Sequence, residues 1–346
     1  MALRPDQRRR PADPLVALAV AGASAAVGAL PQRVARPALG SAGALYARSP
    51  LNRARLARAV EQIRWCFPDL DEADARGLAV ASWRRLALLA EELSFPPARY
   101  RHHRWPDWIE PPDAPQAVAA ILDGPTVLVT GHCGNWEVMG AWLGSLGLPL
   151  HAVYRPLDNL ALDRWIRRTR LRKGIDLVDK FGAGASLPAL LERGEPVAFT
   201  ADQDAGRAGV FVPFFDRLAS SYKAVGLLAM QHDTPIVCGG AICVREAPVR
   251  FRVVVSDVIR PDDWADRPDP LYYITARWRR AIESLVRQAP EQFLWMQRYW
   301  RRRPPFERRG EPLPASWRDR LESLPWMTPE SLARIERSCT PPARPR

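Results

Sequence analysis

Val127-Leu128-Val129-Thr130-Gly131-His132-Cys133-Gly134-Asn135-Trp136-Glu137 is the stretch that decides how this chain folds. Its first four residues are aliphatic or β-branched and stop at Gly131, the pattern of a buried strand ending in a turn. Gly134-Asn135 is a second turn signal, and Asn135 is a good N-cap for a helix beginning at Trp136. Strand, tight turn and helix together make the repeating unit of an α/β fold. On a continuous helix His132 and Glu137 would lie about 140° apart and share no face, so they can meet only if the Gly134-Asn135 turn intervenes. A His oriented by a carboxylate at such a turn is equipped to act as general base toward a hydroxyl. Each half also has a plainer role. Glu137 favours the helix dipole whatever it touches, and a His beside a Gly is commonly a packing residue. His-x4-Glu recurs by chance, so the pair gains weight only from the rest of the chain.

Working outward, helical and strand patterns alternate. Helices are predicted over 116–122, 136–146, 160–173 and 185–192, with strands over 126–130, 151–154, 176–178 and 196–201. Further strands are predicted at 210–213, 235–244 and 249–256, and further helices at 221–232 and 271–289. Short strands interleaved with helices imply a three-layer α/β/α fold with a largely parallel central sheet. In such sheets ligands collect beyond the carboxyl ends of the strands. His132 follows one strand end, Asp202-Gln203-Asp204 follows another and Tyr154-Arg155 a third, so these groups can share one crevice. Two acids without a His or a third ligand are weak metal ligands, and orienting an Arg or backbone groups suits them better.

The 346-residue chain carries a net charge of +12, and nearly all of its positive charge is arginine; the lysines are Lys173, Lys180 and Lys223. A basic surface favours phosphates on lipids, sugars or nucleic acid. The arginines are dispersed, without a recognisable nucleic-acid module, which argues against that partner. Cys66, Cys133, Cys238, Cys243 and Cys339 show no zinc spacing, and Cys133 reads as a small filler beside His132. No Gly-x-Ser-x-Gly elbow, Walker loop or dinucleotide fingerprint is present, so neither an acyl-enzyme nor a nucleotide cofactor is suggested.

Residues 1–13 are polar, Pro-rich and basic, a composition that predicts disorder. The uncharged run 15–30 between Pro14 and Pro31 is short of the ~20 residues of a straight bilayer span. It reads as an uncleaved anchor or interfacial helix, as a secretory signal, or as a buried helix of the fold. Residues 51–95 read as two amphipathic helices, with apolar stripes Leu56, Val60, Ile63, Cys66 and Trp83, Leu86, Leu89, Leu93, and with solvated arginines opposite. Trp105 and Trp108 fall in a Pro/Arg-rich stretch that suits either a membrane interface or a linker. The organisation is thus a basic tail (1–13), a candidate single membrane helix (14–31), a helical subdomain (51–110), the main domain (111–305) and a Pro/Arg-rich C-terminal tail (306–346) with one short helix near 329–337.

Four ordered blocks resemble the late acyltransferases of lipid A biosynthesis, within the lysophospholipid acyltransferase-like superfamily. They are Gly131-His132-Cys133-Gly134-Asn135-Trp136-Glu137; Val153-Tyr154-Arg155-Pro156-Leu157-Asp158-Asn159 running into Arg170-Leu171-Arg172; Ala201-Asp202-Gln203-Asp204-Ala205-Gly206 with Val210-Phe211-Val212-Pro213-Phe214-Phe215; and Pro290-Glu291-Gln292-Phe293-Leu294-Trp295-Met296-Gln297-Arg298-Tyr299-Trp300. The chain departs from the resemblance at Asp216-Arg217-Leu218, where a Gly usually follows the aromatic pair, and at Ser220-Ser221-Tyr222-Lys223. Both departures bear on the acceptor and chain length rather than the reaction class.

The resemblance implies transfer of a fatty acyl chain from an acyl carrier protein thioester to a hydroxyl of a phosphorylated glycolipid, a lipid A precursor. It implies a bacterial inner-membrane enzyme with the catalytic domain facing the cytoplasm, which favours the anchor or interfacial reading of 15–30. It makes His132 the general base, oriented by Glu137, and puts Arg170, Asp202, Asn135 and Arg155 around the substrate, with no metal and no cofactor. The sister reading is an acyltransferase that uses acyl-CoA on another glycolipid or phospholipid, such as a phosphatidylinositol mannoside. The apolar run Val210 to Phe215 reads either as the lining of an acyl channel or as a core strand.

Overall fold

A computed structural model of the protein describes residues 13–93 and 102–339. Four helices come first: α1 (Asp13–Ala29), α2 (Gln32–Arg48), α3 (Arg53–Cys66) and α4 (Glu72–Leu93). The chain then runs through β1 (Ile109–Glu110), α5 (Pro115–Leu122), β2 (Val127–Thr130), α6 (Trp136–Ser145), β3 (Leu150–Tyr154), α7 (Leu160–Leu171), β4 (Ile175–Asp179), α8 (Ala183–Glu192) and β5 (Val197–Thr200). After these come β6 (Val210–Pro213), β7 (Leu218–Ser221), α9 (Ala224–Gln231), β8 (Ile236–Glu246), β9 (Val249–Ile259) and α10 (Pro270–Gln288). Three short helices, α11 (Pro305–Arg309), α12 (Ala315–Glu322) and α13 (Pro329–Cys339), close the described chain.

Seven strands form one sheet in the order β1-β9-β8-β2-β5-β3-β4. Strands β8, β2, β5, β3 and β4 run parallel; β9 is antiparallel to β8, and β1 is parallel to β9. The strands alternate their side chains between two apolar layers, as the pleat requires. Val127, Val129, Val197 and Phe199 pack with α8, α9 and α10, whereas Leu128 and Ala198 face α5 and α6. This is the α/β/α architecture read from the sequence. Because β5 returns between β2 and β3, the strands that carry His132 and Asp202 are neighbours, with Thr130 paired to Thr200.

Several expectations need correcting. The strand predicted at 210–213 does form, as β6, though outside the main sheet. It pairs with β7 in a hairpin whose turn residues Phe215 and Asp216 both adopt φ of 52°. Phe214 and Arg217 exchange backbone hydrogen bonds across that turn, the geometry of a two-residue hairpin with two left-handed residues. Asp216 thus occupies a position suited to Gly or Asp, and residue 221 is strand rather than helix. Val212, Phe214 and Phe215 are fully buried core residues. Trp105 and Trp108 also pack inward: Trp105 against Trp142 at 6.1 Å, Trp108 against Phe251 at 6.5 Å.

Run 15–30 is helical as α1, and α1 packs along α7. No helix among the described residues is long and apolar enough to cross a membrane. The expected tail 1–13 lies outside the described residues except for Asp13. The C-terminal segment holds three helices rather than one, with Phe306, Leu321, Leu332 and Ile335 forming a small core with Leu218.

Candidate active site

The turn after β2 is built by two glycines. A Cβ at Gly131 would come within 2.8 Å of Ile282 Cγ2 on α10, and one at Gly134, whose φ is +67°, within 2.2 Å of the Ala241 carbonyl oxygen. Only glycine lets the chain lie this close and turn this way. The segment after α10 braces the turn: Gly134 N–H donates to the Gln292 carbonyl and Leu294 N–H to that of His132, both at 3.1 Å. Cys133 faces away from the crevice toward the Leu285 and Ala289 carbonyls. Burial pushes its thiol well above the usual value, so it is an inert filler.

His132 is held by Asp202. Each residue lies two positions past the paired Thr130 and Thr200, so parallel register delivers them side by side. Asp202 Oδ2 accepts the His132 backbone N–H at 2.8 Å, and Oδ1 meets ring Nδ1 at 2.6 Å. Asp202 is fully buried. Burial alone would raise its carboxyl; the His132 ring and N–H, with Arg279, outweigh this and hold it below its ordinary value. Arg279 is itself fully buried, donates to the Asp202 carbonyl at 2.6 Å and stacks on Phe214 at 4.0 Å. Burial pulls its pKa down to about 10. The His132 ring stands edge-on to Trp136 at 4.8 Å. Nδ1 bound to a carboxylate fixes a tautomer in which Nε2 carries the lone pair. Among the described residues Nε2 has no protein partner, and the side chain lines the main cavity.

Glu137 is not joined to His132: no hydrogen bond or ion pair links them among the described residues. Its carboxylate lies in the first turn of α6 and receives Arg170 of α7, with Nε at 2.9 Å from Oε2 and 3.2 Å from Oε1, and with Nη2 on Oε1. The positive-φ turn at Gly134 carries Glu137 toward α7, leaving the neighbouring strand end to supply the partner of His132. The Glu137–Arg170 pair lines the same cavity as His132.

Asn135 sits beneath the site rather than in it. It is fully buried; Oδ1 accepts Val138 N–H at 3.0 Å, capping α6, and Nδ2 donates to Glu92 at 2.5 Å. The substrate contact expected of Asn135 is therefore replaced by a supporting role. Glu92 also receives Arg85 (2.8 and 2.6 Å) and Arg36 (2.8 Å), and Arg36 pairs with Glu91. Arg85 is thus buried where a solvated arginine was expected. Arg155 stands exposed on the cavity rim, loosely paired with Asp158 at 3.8 Å. Asp204 serves backbone, accepting Gly206 and Arg302 N–H groups at 2.9 and 2.8 Å.

The cavity measures about 1590 Å³, larger than the ~300–1,000 Å³ of ordinary small-molecule sites. It opens at the carboxyl ends of the strands and reaches down both faces of the sheet. One arm is walled by Leu128, Ala152, Leu177 and Ala198 under α6; the other passes Phe199, Leu187 and Leu228. Leu128, Ala198, Ala152 and Leu177 follow one another across neighbouring strands in register, which makes a continuous apolar wall. The run Val210 to Phe215 takes no part in it.

Two groups escaped the sequence reading. Arg279 shares a helical stripe with Thr275, Ile282 and Val286, and an arginine inside an otherwise buried stripe was the available signal. Glu92 and Arg85 likewise fall with the buried Leu88 on α4, as a charged pair inside an apolar face.

Residues 6–302 match the bacterial lipid A biosynthesis acyltransferase family. The chain is 27% identical to a lipid A biosynthesis lauroyltransferase of Escherichia coli K12, over 76% of this chain and 83% of that one. It is 26% identical to the lipid A biosynthesis palmitoleoyltransferase of the same organism, over 74% and 81%. A lipid A biosynthesis acyltransferase of Haemophilus influenzae matches at 25%, over 76% and 82%.

Proposed function

The chain belongs to the bacterial lipid A biosynthesis acyltransferase family and is an acyltransferase, and we propose that it moves a fatty acyl chain from an acyl carrier protein thioester to a hydroxyl of a phosphorylated lipid A precursor. The observation that carries this reading is the His132–Asp202 pair at 2.6 Å, with the opposite ring nitrogen turned to a large, partly apolar cavity. Nε2 takes the proton of the acceptor hydroxyl as that oxygen attacks the thioester carbonyl. Asp202 stabilises the imidazolium that forms. The tetrahedral oxyanion then collapses, the C–S bond breaks and the departing thiolate takes the proton back from Nε2. Arg170, kept charged and in place by Glu137, supplies a cation on the same cavity wall for the oxyanion. The two apolar arms give room for the transferred chain and for a chain already on the acceptor.

The site works at the cytoplasmic face of the inner membrane in this proposal. Support comes from α1, an apolar helix without charge after Asp13 whose Leu15 and Leu18 are exposed, apolar surface that a bilayer would cover. The test is in vitro transfer with purified protein, a phosphorylated glycolipid acceptor, and acyl-carrier-protein or coenzyme A thioesters, read by mass spectrometry. Acylated product that forms faster from the carrier protein and disappears in His132→Ala is expected. No product with either donor would overturn the reading, and preference for coenzyme A would replace the donor.

A further inference from the structure

Four arginines on the cavity wall have no carboxylate partner among the described residues. Arg55 and Arg58 come from α3, and Arg298 and Arg301 from the segment after α10; all four line the cavity that holds His132. Among the described residues none of them forms an ion pair. Arg58 donates to the Met296 carbonyl at 3.2 Å, and Arg55 reaches the Tyr46 hydroxyl at 3.5 Å. Elsewhere arginines on this cavity are balanced, as Arg170 is by Glu137 and Arg155 by Asp158. Arg58, Arg298 and Arg301 also border an adjoining recess with Arg64 and Arg217, where Glu61 is the only acid among the described residues.

Gathering like charges on one cavity wall costs free energy unless an anion completes the site. Arg58 shows that cost: burial, then Arg298 and Arg55, lower its pKa, with Glu61 opposing. The exposed apolar side chains Leu45 and Leu51 flank the same α2–α3 corner. An anionic headgroup whose tails lie in a bilayer would therefore meet the arginines at headgroup depth.

We infer that Arg55, Arg58, Arg298 and Arg301 form the binding site for a phosphate monoester of the acceptor glycolipid, holding it so that its hydroxyl reaches His132. The inference rests on the acyl-transfer reading only for its placement of the hydroxyl; the anion site itself is separately measurable. Guanidinium groups suit a phosphate because they present paired donors in a plane.

The first experiment is equilibrium binding, without donor, of a phosphorylated disaccharide glycolipid and of the same lipid with its phosphates removed. The wild-type protein should bind the phosphorylated form more tightly. Arg58→Gln/Arg298→Gln should lose about ten- to hundredfold of affinity for it, the scale of one or two charge-assisted hydrogen bonds. Its affinity for the dephosphorylated form should be unchanged, and Arg58→Lys/Arg298→Lys should recover part of the loss. The exposed pair Arg298→Gln/Arg301→Gln gives the same comparison if the first variant does not fold.

Equal binding of the two lipids by the wild-type protein, or equal loss of both in the variants, would overturn the inference. So would turnover in which the variants raise KM for acyl-carrier-protein or acyl-coenzyme A donor while leaving acceptor KM alone, since the arginines would then serve donor phosphates or an acidic carrier. Absence of transfer by the wild-type protein, with selective binding intact, would instead fault the acyl-transfer reading.

Discussion

Asp202→Asn separates two assignments of the carboxylate that serves His132. In the structure Asp202 is fully buried and lies 2.6 Å from Nδ1, while Glu137 is engaged by Arg170. As the acceptor hydroxyl loses its proton, His132 becomes an imidazolium whose charge centre stands ~4 Å from that of Asp202. At an effective dielectric constant near 20 this separation is worth about 4 kcal/mol, or about three decades in rate. An asparagine removes that charge and also releases the tautomer, an effect that costs about 10⁴ in a serine-protease triad. Asp202→Asn should therefore lower kcat about 10³–10⁴-fold with acceptor KM little changed. Glu137→Gln should act differently, weakening the hold on Arg170 and costing about 10–100-fold, the smaller scale of one charge-assisted hydrogen bond. The assay is steady-state transfer to a glycolipid acceptor at saturating donor, with circular dichroism to confirm folding. An Asp202→Asn enzyme within threefold of wild type, beside a dead Glu137→Gln enzyme, would refute this assignment and return the orienting role to Glu137.

Other outcomes follow from the same geometry. Glu92→Ala leaves Arg36 and Arg85 buried beside an empty position, so it should destabilise by about 3–5 kcal/mol, read as a lowered denaturant midpoint; a shift under 1 kcal/mol would show the network to be dispensable. Because the folded-state pKa of Asp202 is depressed, its contribution to stability is present above the ordinary carboxylate range and is lost as pH falls through that lower value. The stability gap between wild type and Asp202→Asn should therefore narrow as pH falls below the ordinary carboxylate value of about 4, and a gap constant with pH would contradict the depressed value. Deleting residues 1–30 should weaken vesicle binding without abolishing it, since basic side chains and the exposed Leu45 and Leu51 remain; flotation assays that find the truncated protein wholly unbound would assign all membrane affinity to α1.

Much of the architecture was legible because local signals and tertiary structure agree. Val127-Leu128-Val129-Thr130 is buried along its whole length, and Asn135 caps α6 as its residue type suggests. Failures cluster where a local pattern has two physical solutions. The apolar run at 210–215 suited a core strand or a channel lining equally; it forms the core strand, and the left-handed residues Phe215 and Asp216 fold it into a separate hairpin. Trp105 and Trp108 have the amphipathic character of interface residues, but inward packing against Trp142 and Phe251 claims them. The arginines of α4 look solvated by number, and only the burial of Glu92 reveals that Arg85 is not.

The partner of His132 was hidden for a different reason. Glu137 is five residues away in sequence, and proximity in sequence suggested the pair. Asp202 is seventy residues distant, yet the sheet places it closer. The deciding fact is strand order: after β4 at the edge of the sheet, the chain returns to place β5 between β2 and β3. Once Thr130 and Thr200 are paired, residues two positions beyond each strand must emerge as neighbours at the same carboxyl edge. Strand order of this kind is a non-local property that hydrophobic periodicity does not encode. The same insertion explains the division of labour among the acids. Asp202 emerges beneath the turn, where burial and two hydrogen bonds from His132 suit an orienting anion. Glu137, on the first turn of α6, is displaced toward α7 and holds Arg170 in the cavity instead. Both carboxylates thus serve one crevice through different cationic partners, and exchanging their roles would require a different strand order rather than a different side chain.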